Sequence, residues 1–237
     1  MLNLLRFLPW LIFLLLQACQ QSSAVKAEQS VQLQKRNEAA SYNTQLGLAY
    51  LKQGDRPRAK RKLLTALDLA PDSADVNVAM AYYFEKTGEI KKAQAYYQKA
   101  LALAPDSGAQ LNNFGTFLCR LGRYKEAERY FLKAVNDIHY IHTAAAYENA
   151  GLCAAAMPDY PKAKHYYVKA LQQDPRRKQA LYELAVIELK EKHASKALEY
   201  IQKYPALSLN DPNMLAMAVN AARQAGKKIL NWSINSV

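Results

Sequence analysis

A repeat of 34 residues constrains this chain more than any other feature of its sequence. Small residues recur at that interval at Gly47, Ala81 and Gly115, and turn glycines at Gly54, Gly88 and Gly122. Alanines recur at Ala59, Ala93 and Ala127, and larger side chains at Leu63, Tyr97 and Phe131. Self-similarity at such a period is the signature of stacked supersecondary units. The chain is therefore predicted to fold as an array of similar units.

The length and residue types of this unit resemble the tetratricopeptide repeat, a pair of antiparallel helices. Small residues at the crossing let the two helices approach, while a large side chain fills the space beside them. One pair leaves an apolar face bare, and stacked neighbours cover it. The predicted fold class is accordingly all-α, a right-handed tetratricopeptide-repeat superhelix of about five to six helical hairpins.

The later copies are less regular. The fourth is displaced by 36 residues from the third, so two extra residues are expected within NDIHYIHTAAA. The fifth has Lys192 where a turn glycine would stand, and residues 211–227 resemble the first helix of a sixth copy. The repeat array is predicted to span residues 37–227, followed by a C-terminal tail at residues 228–237.

The N-terminus carries a different signal. Residues 4–16 are apolar except for Arg6 and Pro9, too short a run to cross a bilayer but suited to a secretory signal. The sequence Leu-Gln-Ala-Cys that follows resembles a bacterial lipobox ending at Cys19. This implies a signal peptide at residues 1–18 and a lipidated Cys19 carrying acyl chains such as palmitate. The polar, serine- and glutamine-rich composition after the cysteine predicts a flexible tether, so that residues 19–36 form the lipidated N-terminus and tether. A signal cleaved without lipidation, or an apolar helix, is the alternative.

The residue after that cysteine indicates a compartment. Gln20 stands where an aspartate usually retains lipoproteins in the inner membrane, so the resemblance implies the outer membrane, facing the periplasm.

Two further cysteines, Cys119 and Cys153, fall on first helices of consecutive repeats. In an oxidising compartment, and with small residues around them, they are predicted to form a disulfide. Two buried thiols are the alternative.

Charge and composition argue against two other classes of protein. The formal net charge is +12, but clusters such as RPRAKRK fall at turns and on second helices, which are predicted to be solvated outer surfaces. No nucleic-acid partner is therefore expected. His139 and His142 are three residues apart, yet no carboxylate or cysteine completes a metal set, and catalytic motifs are absent from the sequence. We expect no enzymatic activity, cofactor or metal; an enzyme or metal protein using the two histidines is the alternative.

One region of the sequence points to a narrower family. The segments LNNFGTFLCRLGRYKEAERYFLKAV and YENAGLC, preceded by the lipobox and two regular repeats, resemble the type IV pilus biogenesis and stability lipoproteins of the PilF/PilW pilotin group. The family's cysteine pair is matched by Cys119 and Cys153. The resemblance implies an outer-membrane lipoprotein that binds the pilus secretin and promotes its localisation and oligomerisation. Another periplasmic repeat scaffold, serving cell-wall synthesis or secretion, is the alternative.

The repeat architecture also predicts a binding surface, independently of this family. First helices of such repeats line an inner groove, where aromatic, amide and carboxylate side chains suit a peptide ligand. The predicted groove residues are Tyr82, Glu85, Asn112, Asn113, Thr116, Glu148, Asn149 and Tyr182. They are expected to be exposed, and the asparagines are the most unusual of them because asparagine is a poor helix former.

Overall fold

The computed structural model describes residues 8–227, with the side chains of residue 26 and residues 28–227. These residues form helices and connecting turns and contain no strand. The helices are α1 (Leu8–Lys52), α2 (Arg56–Leu69), α3 (Ala74–Lys86), α4 (Ile90–Leu103), α5 (Gly108–Arg120), α6 (Tyr124–Val135), α7 (Thr143–Ala156), α8 (Tyr160–Gln173), α9 (Lys178–Lys190), α10 (Ala194–Lys203), α11 (Pro205–Ser208) and α12 (Pro212–Gln224).

The chain divides into two compact units, Met1–Tyr96 and Tyr97–Val237, with the boundary inside α4. In the first unit α1 packs against both α2 and α3. In the second, consecutive hairpins pair α5 with α6, α7 with α8 and α9 with α10, and α12 packs on α10. Within the residues that the structure describes, no helix combines the length and apolar character needed to cross a membrane.

The repeated small residue marks the closest approach within each hairpin. A Cβ atom added at Gly47 would lie 2.6 Å from Cγ of Leu63, and one at Gly151 would lie 2.5 Å from Cε1 of Tyr167. Both large side chains are fully buried. The sequence period therefore reflects one contact that recurs in these hairpins, between a glycine on the first helix and a large side chain on the second.

The turn between the two helices of a hairpin also repeats. Gly54, Gly88 and Gly122 have φ angles of 82°, 84° and 77°, in the left-handed region that glycine adopts without a steric penalty. Lys192 occupies the same turn with φ of 64°. After it the His193 amide donates to the Glu188 carbonyl at 2.8 Å, as the Arg123 amide does to Leu118 at 2.9 Å after the third glycine. The fifth hairpin thus keeps the turn without its glycine.

The inserted residues predicted in the fourth copy lie between α6 and α7. The Asp137 carboxylate accepts the Gly108 amide at 2.7 Å and the His139 amide at 2.9 Å. These two backbone hydrogen bonds lower the pKa of Asp137. The Tyr140 side chain covers Gly108, where an added Cβ would meet it at 2.5 Å. The loop is therefore held at two points.

The structure differs from the predicted boundary between tether and first hairpin. Residues 26–36, placed in the tether by the sequence, belong to α1, which is continuous to Lys52. Residues 20–46 contain neither glycine nor proline and are rich in glutamine and alanine, which favour helix. The Arg36 guanidinium donates to the Asp68 carbonyl of α2 at 3.3 Å, so this segment also contacts the hairpin.

Three predictions concern residues at the ends of the chain. The side chain of Cys19, the predicted lipidation site, lies outside the described residues, and so does the predicted tail at residues 228–237. The expected first helix of a sixth repeat corresponds to α12, whose first turn is capped by Asp211, which accepts the Met214 amide at 3.0 Å.

Candidate functional site

An open cavity of about 860 Å³ lies in the first unit, between α1, the α2–α3 loop and the start of α3. It is lined by Leu33, Arg36, Asn37, Ala40, Ser41, Thr44, Gln45, Leu69, Ala70, Pro71, Asp72, Ser73, Asp75 and Val76. Most of the α1 residues in this set follow a helical spacing, so they form one face of that helix. The volume is within the range of ligand-binding sites in proteins.

The floor of this cavity is apolar and small. Ala40, Ala70 and Val76 are buried and belong to one packed cluster with Ala66. Alanine leaves room that a leucine would fill, which accounts for the depth of the depression. A ligand side chain that enters here would meet hydrocarbon rather than charge.

The rim of the cavity is polar. The Thr44 hydroxyl already donates a hydrogen bond within α1, to the Ala40 carbonyl at 2.8 Å. Ser73 caps α3 by accepting the Val76 amide at 3.4 Å. Asn37 and Ser41 are exposed on the α1 side. Arg36, Asp72 and Asp75 add charged groups to the lining. An apolar floor beside amide, hydroxyl and charged groups suits a polypeptide, whose apolar side chains bury while its backbone needs hydrogen-bond partners.

The sequence reasoning missed this cavity because it placed the end of the tether at residue 36. Leu33 and Arg36, which form part of one wall, were assigned to flexible chain. The signal was present in the unbroken helix-favouring composition of residues 26–36. Five further lining residues, from Leu69 to Ser73, form the sequence LAPDS at the end of α2 and in the loop that follows it.

Two of the predicted groove residues lie in the first unit. Tyr82 and Glu85 are both on α3 and are half-buried rather than fully exposed. The Lys86 ammonium lies 5.2 Å from the centre of the Tyr82 ring, a cation–π contact. Neither residue lines the cavity.

Three more lie on α5, and the structure corrects the expectation for one of them. Asn112 is 9% exposed, and its side-chain carbonyl accepts a hydrogen bond from Asn149 at 3.0 Å. Asn113 is half-buried, and the Thr116 hydroxyl donates to the Asn112 backbone carbonyl at 2.8 Å. The hydrogen bond between Asn149 and Asn112 therefore links α7 to α5.

Glu148 is the clearest correction. It was expected on an exposed groove surface but is 8% exposed. One carboxylate oxygen accepts the Ala180 amide at 3.1 Å, and the Arg177 Nε lies 3.2 Å from the same oxygen. A carboxylate in this position satisfies the first turn of α9, which would otherwise bury an unpaired amide. Among the predicted residues of the second unit, Tyr182 remains at the surface, 36% exposed.

The cysteine pair lies beside the same helices. Cys119 of α5 and Cys153 of α7 form a disulfide in the structure, with Cα atoms 5.7 Å apart. Cys153 is buried and Cys119 is half-buried. Two consecutive first helices are thus joined covalently at one end and by Asn112 and Asn149 nearer the other.

A polar contact joins the third and fourth hairpins on their second helices. The Tyr166 hydroxyl donates to Glu128 at 2.6 Å, and the Lys162 ammonium lies 3.0 Å from the same carboxylate. Burial opposes ionisation of Glu128, but these two hydrogen bonds outweigh it and lower its pKa. Burial, followed by the neighbouring carboxylate, raises the pKa of Tyr166. The contact is consistent with a stabilising role between repeats.

One group of side chains has a spacing that could hold a metal ion. In the described part of the chain, Glu188, Glu191 and His193 place potential ligand atoms within 4.8 Å of one another. The Lys164 ammonium already lies 3.4 Å from Glu188 and 2.5 Å from Glu191, so the group forms an ion-pair network. His139 and His142, the pair in the metal alternative, are exposed and lie outside this group.

Known proteins share this repeat architecture. Tetratricopeptide-repeat family models match residues 44–108, 108–176 and 154–220. A structure of PilF from Pseudomonas aeruginosa is similar, with a TM-score of 0.69 and 31% identity, covering 84% of this chain and 91% of that chain. A structure of PilW, a widely conserved type IV pilus biogenesis factor, has a TM-score of 0.67 and 28% identity, covering 83% and 90% of the two chains.

More distant similarity concerns the fold alone. Yeast Tom70 has a TM-score of 0.67 at 17% identity, covering 88% of this chain and 43% of that chain. A search of curated protein sequences found no match. The hairpins and the family matches together define a tetratricopeptide-repeat protein, which confirms the predicted fold class. At 31% identity over 91% of PilF, the chain belongs to the same family as PilF.

Proposed function

We propose that this chain is a lipid-anchored outer-membrane scaffold that binds the secretin subunit of the type IV pilus and promotes its localisation and assembly. The chain acts by binding and carries out no chemical step. The observation that carries the proposal is the similarity to PilF along 91% of that chain, together with similarity to PilW, a type IV pilus biogenesis factor.

The cavity of the first hairpin supports a polypeptide ligand. Its floor of Ala40, Ala70 and Val76 would receive one or two apolar side chains, while Asn37 and Ser41 at the rim would pair with backbone groups. We propose this cavity, rather than the predicted groove residues of the second unit, as the main secretin contact. Asn112, Glu148 and Asn149 are occupied by contacts between repeats and so contribute less to binding.

Capture of secretin tests the proposal. Detergent-solubilised outer membranes from a piliated bacterium are passed over the immobilised chain, and the bound secretin is quantified. A Ser41→Trp variant should reduce capture at least tenfold, because the indole would occupy the cavity mouth from an exposed position. Thr65→Trp, on the exposed side of α2 in the same hairpin, is the matched control and should capture secretin normally.

The outcomes separate the candidates. Recovery of cell-wall enzymes or another secretion component without secretin would replace the proposed function with a different periplasmic scaffold. Equal capture by both tryptophan variants would keep the function but exclude the cavity as its site. In cells lacking the chain, secretin should remain monomeric on non-denaturing gels; stable oligomers would contradict the proposed role in assembly.

The proposed lipid anchor at Cys19 can be tested separately. Mass spectrometry of the chain purified from membranes should find Cys19 as the N-terminal residue, carrying diacylglycerol and a further acyl chain. The Cys19→Ser variant should then be lost from the outer-membrane fraction, because it lacks the acyl chains that would hold the protein at the bilayer. An unmodified Cys19 in membrane-associated protein would exclude lipid anchoring.

A further inference from the structure

Positive charge is concentrated on one helix of the first unit. Residues 26–96 contain twelve lysines and arginines, of which five are in α2, and eight acidic residues, of which one is in α2. Outside α2, therefore, seven basic residues face seven acidic ones in this segment. The whole excess of positive charge in this part of the chain comes from a single helix of 14 residues.

Four of the five cations of α2 are exposed and lie away from the packing contacts of the helix. Ala59, Leu63 and Ala66 are buried, and this stripe packs the helix on the rest of the hairpin. Arg58 and Arg61 are exposed and, three residues apart, share a face. The remaining cations are Arg56 and Lys60, which are exposed, and Lys62, which is half-buried. Leu64, 39% exposed, follows Arg61 by three residues on the outer side of the helix.

Few carboxylates compensate these charges. Asp55 lies 3.2 Å from Arg58 in an exposed pair, and in the described part of the chain no ion pair involves the other four cations of α2. Lys60 also interacts electrostatically with Glu89, whose own ion-pair partner is Lys92 at 2.5 Å. Exposed pairs of this kind contribute little and are screened by salt. The face therefore presents several cations and one apolar side chain to its surroundings.

We propose that this face of α2 docks on the surface of a bilayer containing anionic phospholipid. The combination of basic residues with an exposed leucine is that of a helix lying in the membrane interface, where cations meet phosphate and the apolar side chain enters the headgroup boundary. A nucleic acid would use the cations but leave Leu64 in water. The inference rests on the membrane attachment proposed above, since α2 pairs with α1, the helix that contains Cys19.

Docking through α2 would also orient the first hairpin. The cavity is lined by α1, by the α2–α3 loop including the end of α2 at Leu69, and by the start of α3. None of the five cations of α2 lines it. A hairpin held to the bilayer by this face thus keeps its cavity open to a partner, which neither the acyl chains nor the cavity alone would ensure.

Vesicle partitioning tests the inference. The full chain carrying Cys19→Ser, which cannot be acylated, is mixed with vesicles of phosphatidylethanolamine and phosphatidylglycerol, or with vesicles of phosphatidylcholine alone. Any contribution of the apolar N-terminus is common to every variant. The triple variant R58Q/K60Q/R61Q should lower partitioning into the anionic vesicles roughly 100-fold, since each basic residue near the surface contributes about fivefold.

The matched control is K125Q/R129Q/K133Q, which removes the same charge from exposed positions of another second helix, α6. It should lower partitioning less than threefold. Equal losses in both triple variants would mean that net charge alone matters and would overturn the inference, as would equal binding of the unsubstituted chain to both vesicle types. Tighter binding to a short DNA duplex than to anionic vesicles would replace lipid with nucleic acid as the ligand.

Failure here is distinguishable from failure of the proposed function. The α2 triple variant leaves the cavity lining intact, so its capture of solubilised secretin should equal that of the unsubstituted chain. Normal capture without vesicle binding would leave the scaffold function and remove only the membrane contact. The thermal unfolding midpoint of either triple variant should match that of the unsubstituted chain, as expected for substitutions at exposed positions.

Discussion

The first hairpin and the hairpins of α5 to α8 are built on the same contact of glycine with a large side chain, but they differ in what surrounds it. Around α5 and α7 the polar residues of the first helices are buried in contacts between repeats, and a disulfide joins the two helices. In the first hairpin the corresponding surface of α1 is open and lines a cavity. In one repeat architecture, the surface of a first helix thus either binds the neighbouring repeat or stays open to solvent, depending on a few polar positions.

The same contrast holds for charge. Glu148 accepts a backbone amide and pairs with Arg177 inside the second unit, and Glu128 is held by Tyr166 and Lys162. The cations of α2 are directed outward with little compensation. We therefore expect substitutions in the second unit to affect stability first, and those on the first hairpin to affect binding first.

Removing the disulfide should give the largest effect. In the chain-entropy model, a bond across 34 residues stabilises the folded state by about 3–4 kcal/mol. C119S/C153S should therefore lower the urea midpoint of the second unit, measured under oxidising conditions against the unsubstituted chain. Amide exchange should accelerate in α5 to α8 and stay unchanged in α1 to α3; uniform acceleration would show that the two regions do not differ as described.

Alanine at matched glycines should give the next largest effect. Helix propensity alone favours alanine over glycine by about 1 kcal/mol. At Gly151 the new methyl group would meet the buried Tyr167 ring at 2.5 Å, so G151A should destabilise the protein by about 1–3 kcal/mol. At Gly47 the new methyl group would meet Cγ of the buried Leu63 at 2.6 Å, and because this aliphatic side chain adapts more easily than the Tyr167 ring, G47A should destabilise the protein less than G151A does. Equal denaturation midpoints for the two variants would contradict this.

Acid should act on the second unit through Asp137. The folded-state pKa of this carboxylate is lowered by hydrogen bonds from the Gly108 and His139 amides. Its contribution is therefore complete above the unfolded-state value near 4 and is lost as the pH falls through the lower folded-state value. D137N should weaken the loss of stability between pH 5 and 3 in urea titrations, whereas D106N, at an exposed position, should not. If the stability of both variants depended on pH in the same way, Asp137 would not be a source of the acid sensitivity.

The smallest effect is expected at Lys192. Its φ of 64° is costly for a side-chain-bearing residue, while Gly54 holds the same turn in the first hairpin without that cost. K192G should raise the stability of the second unit by about 0.5–1 kcal/mol, after allowing for the greater unfolded-state entropy of glycine. Differential scanning calorimetry should show a higher unfolding temperature; a lower one would mean that the lysine side chain stabilises the turn.

Much of the fold could be predicted because one contact repeats. Gly47 and Leu63 are 16 residues apart, as are Gly151 and Tyr167, so the register of each hairpin was visible in the sequence. Even the turn at Lys192 followed from position alone. The extent of α1 could not be predicted in this way, because residues 26–36 belong to no repeat and were judged by their polar composition instead of their helix propensity.

The candidate site was less predictable. Glu148 occupies a position that faces the groove by helical spacing, but its burial depends on Arg177 and the Ala180 amide in the next repeat. Spacing specifies which face a residue occupies and does not specify what a neighbouring loop will place over it. The cavity depends likewise on a long helix meeting the α2–α3 loop, two segments about 30 residues apart that share no motif.

The continuity of α1 has a mechanical consequence. A slack linker transmits tension alone, whereas a helix also resists bending and twisting. From residue 26 to residue 40, where the hairpin core begins, α1 rises about 20 Å at 1.5 Å per residue. Whatever holds the N-terminal end of α1 therefore fixes both the distance and the orientation of the first hairpin relative to that point.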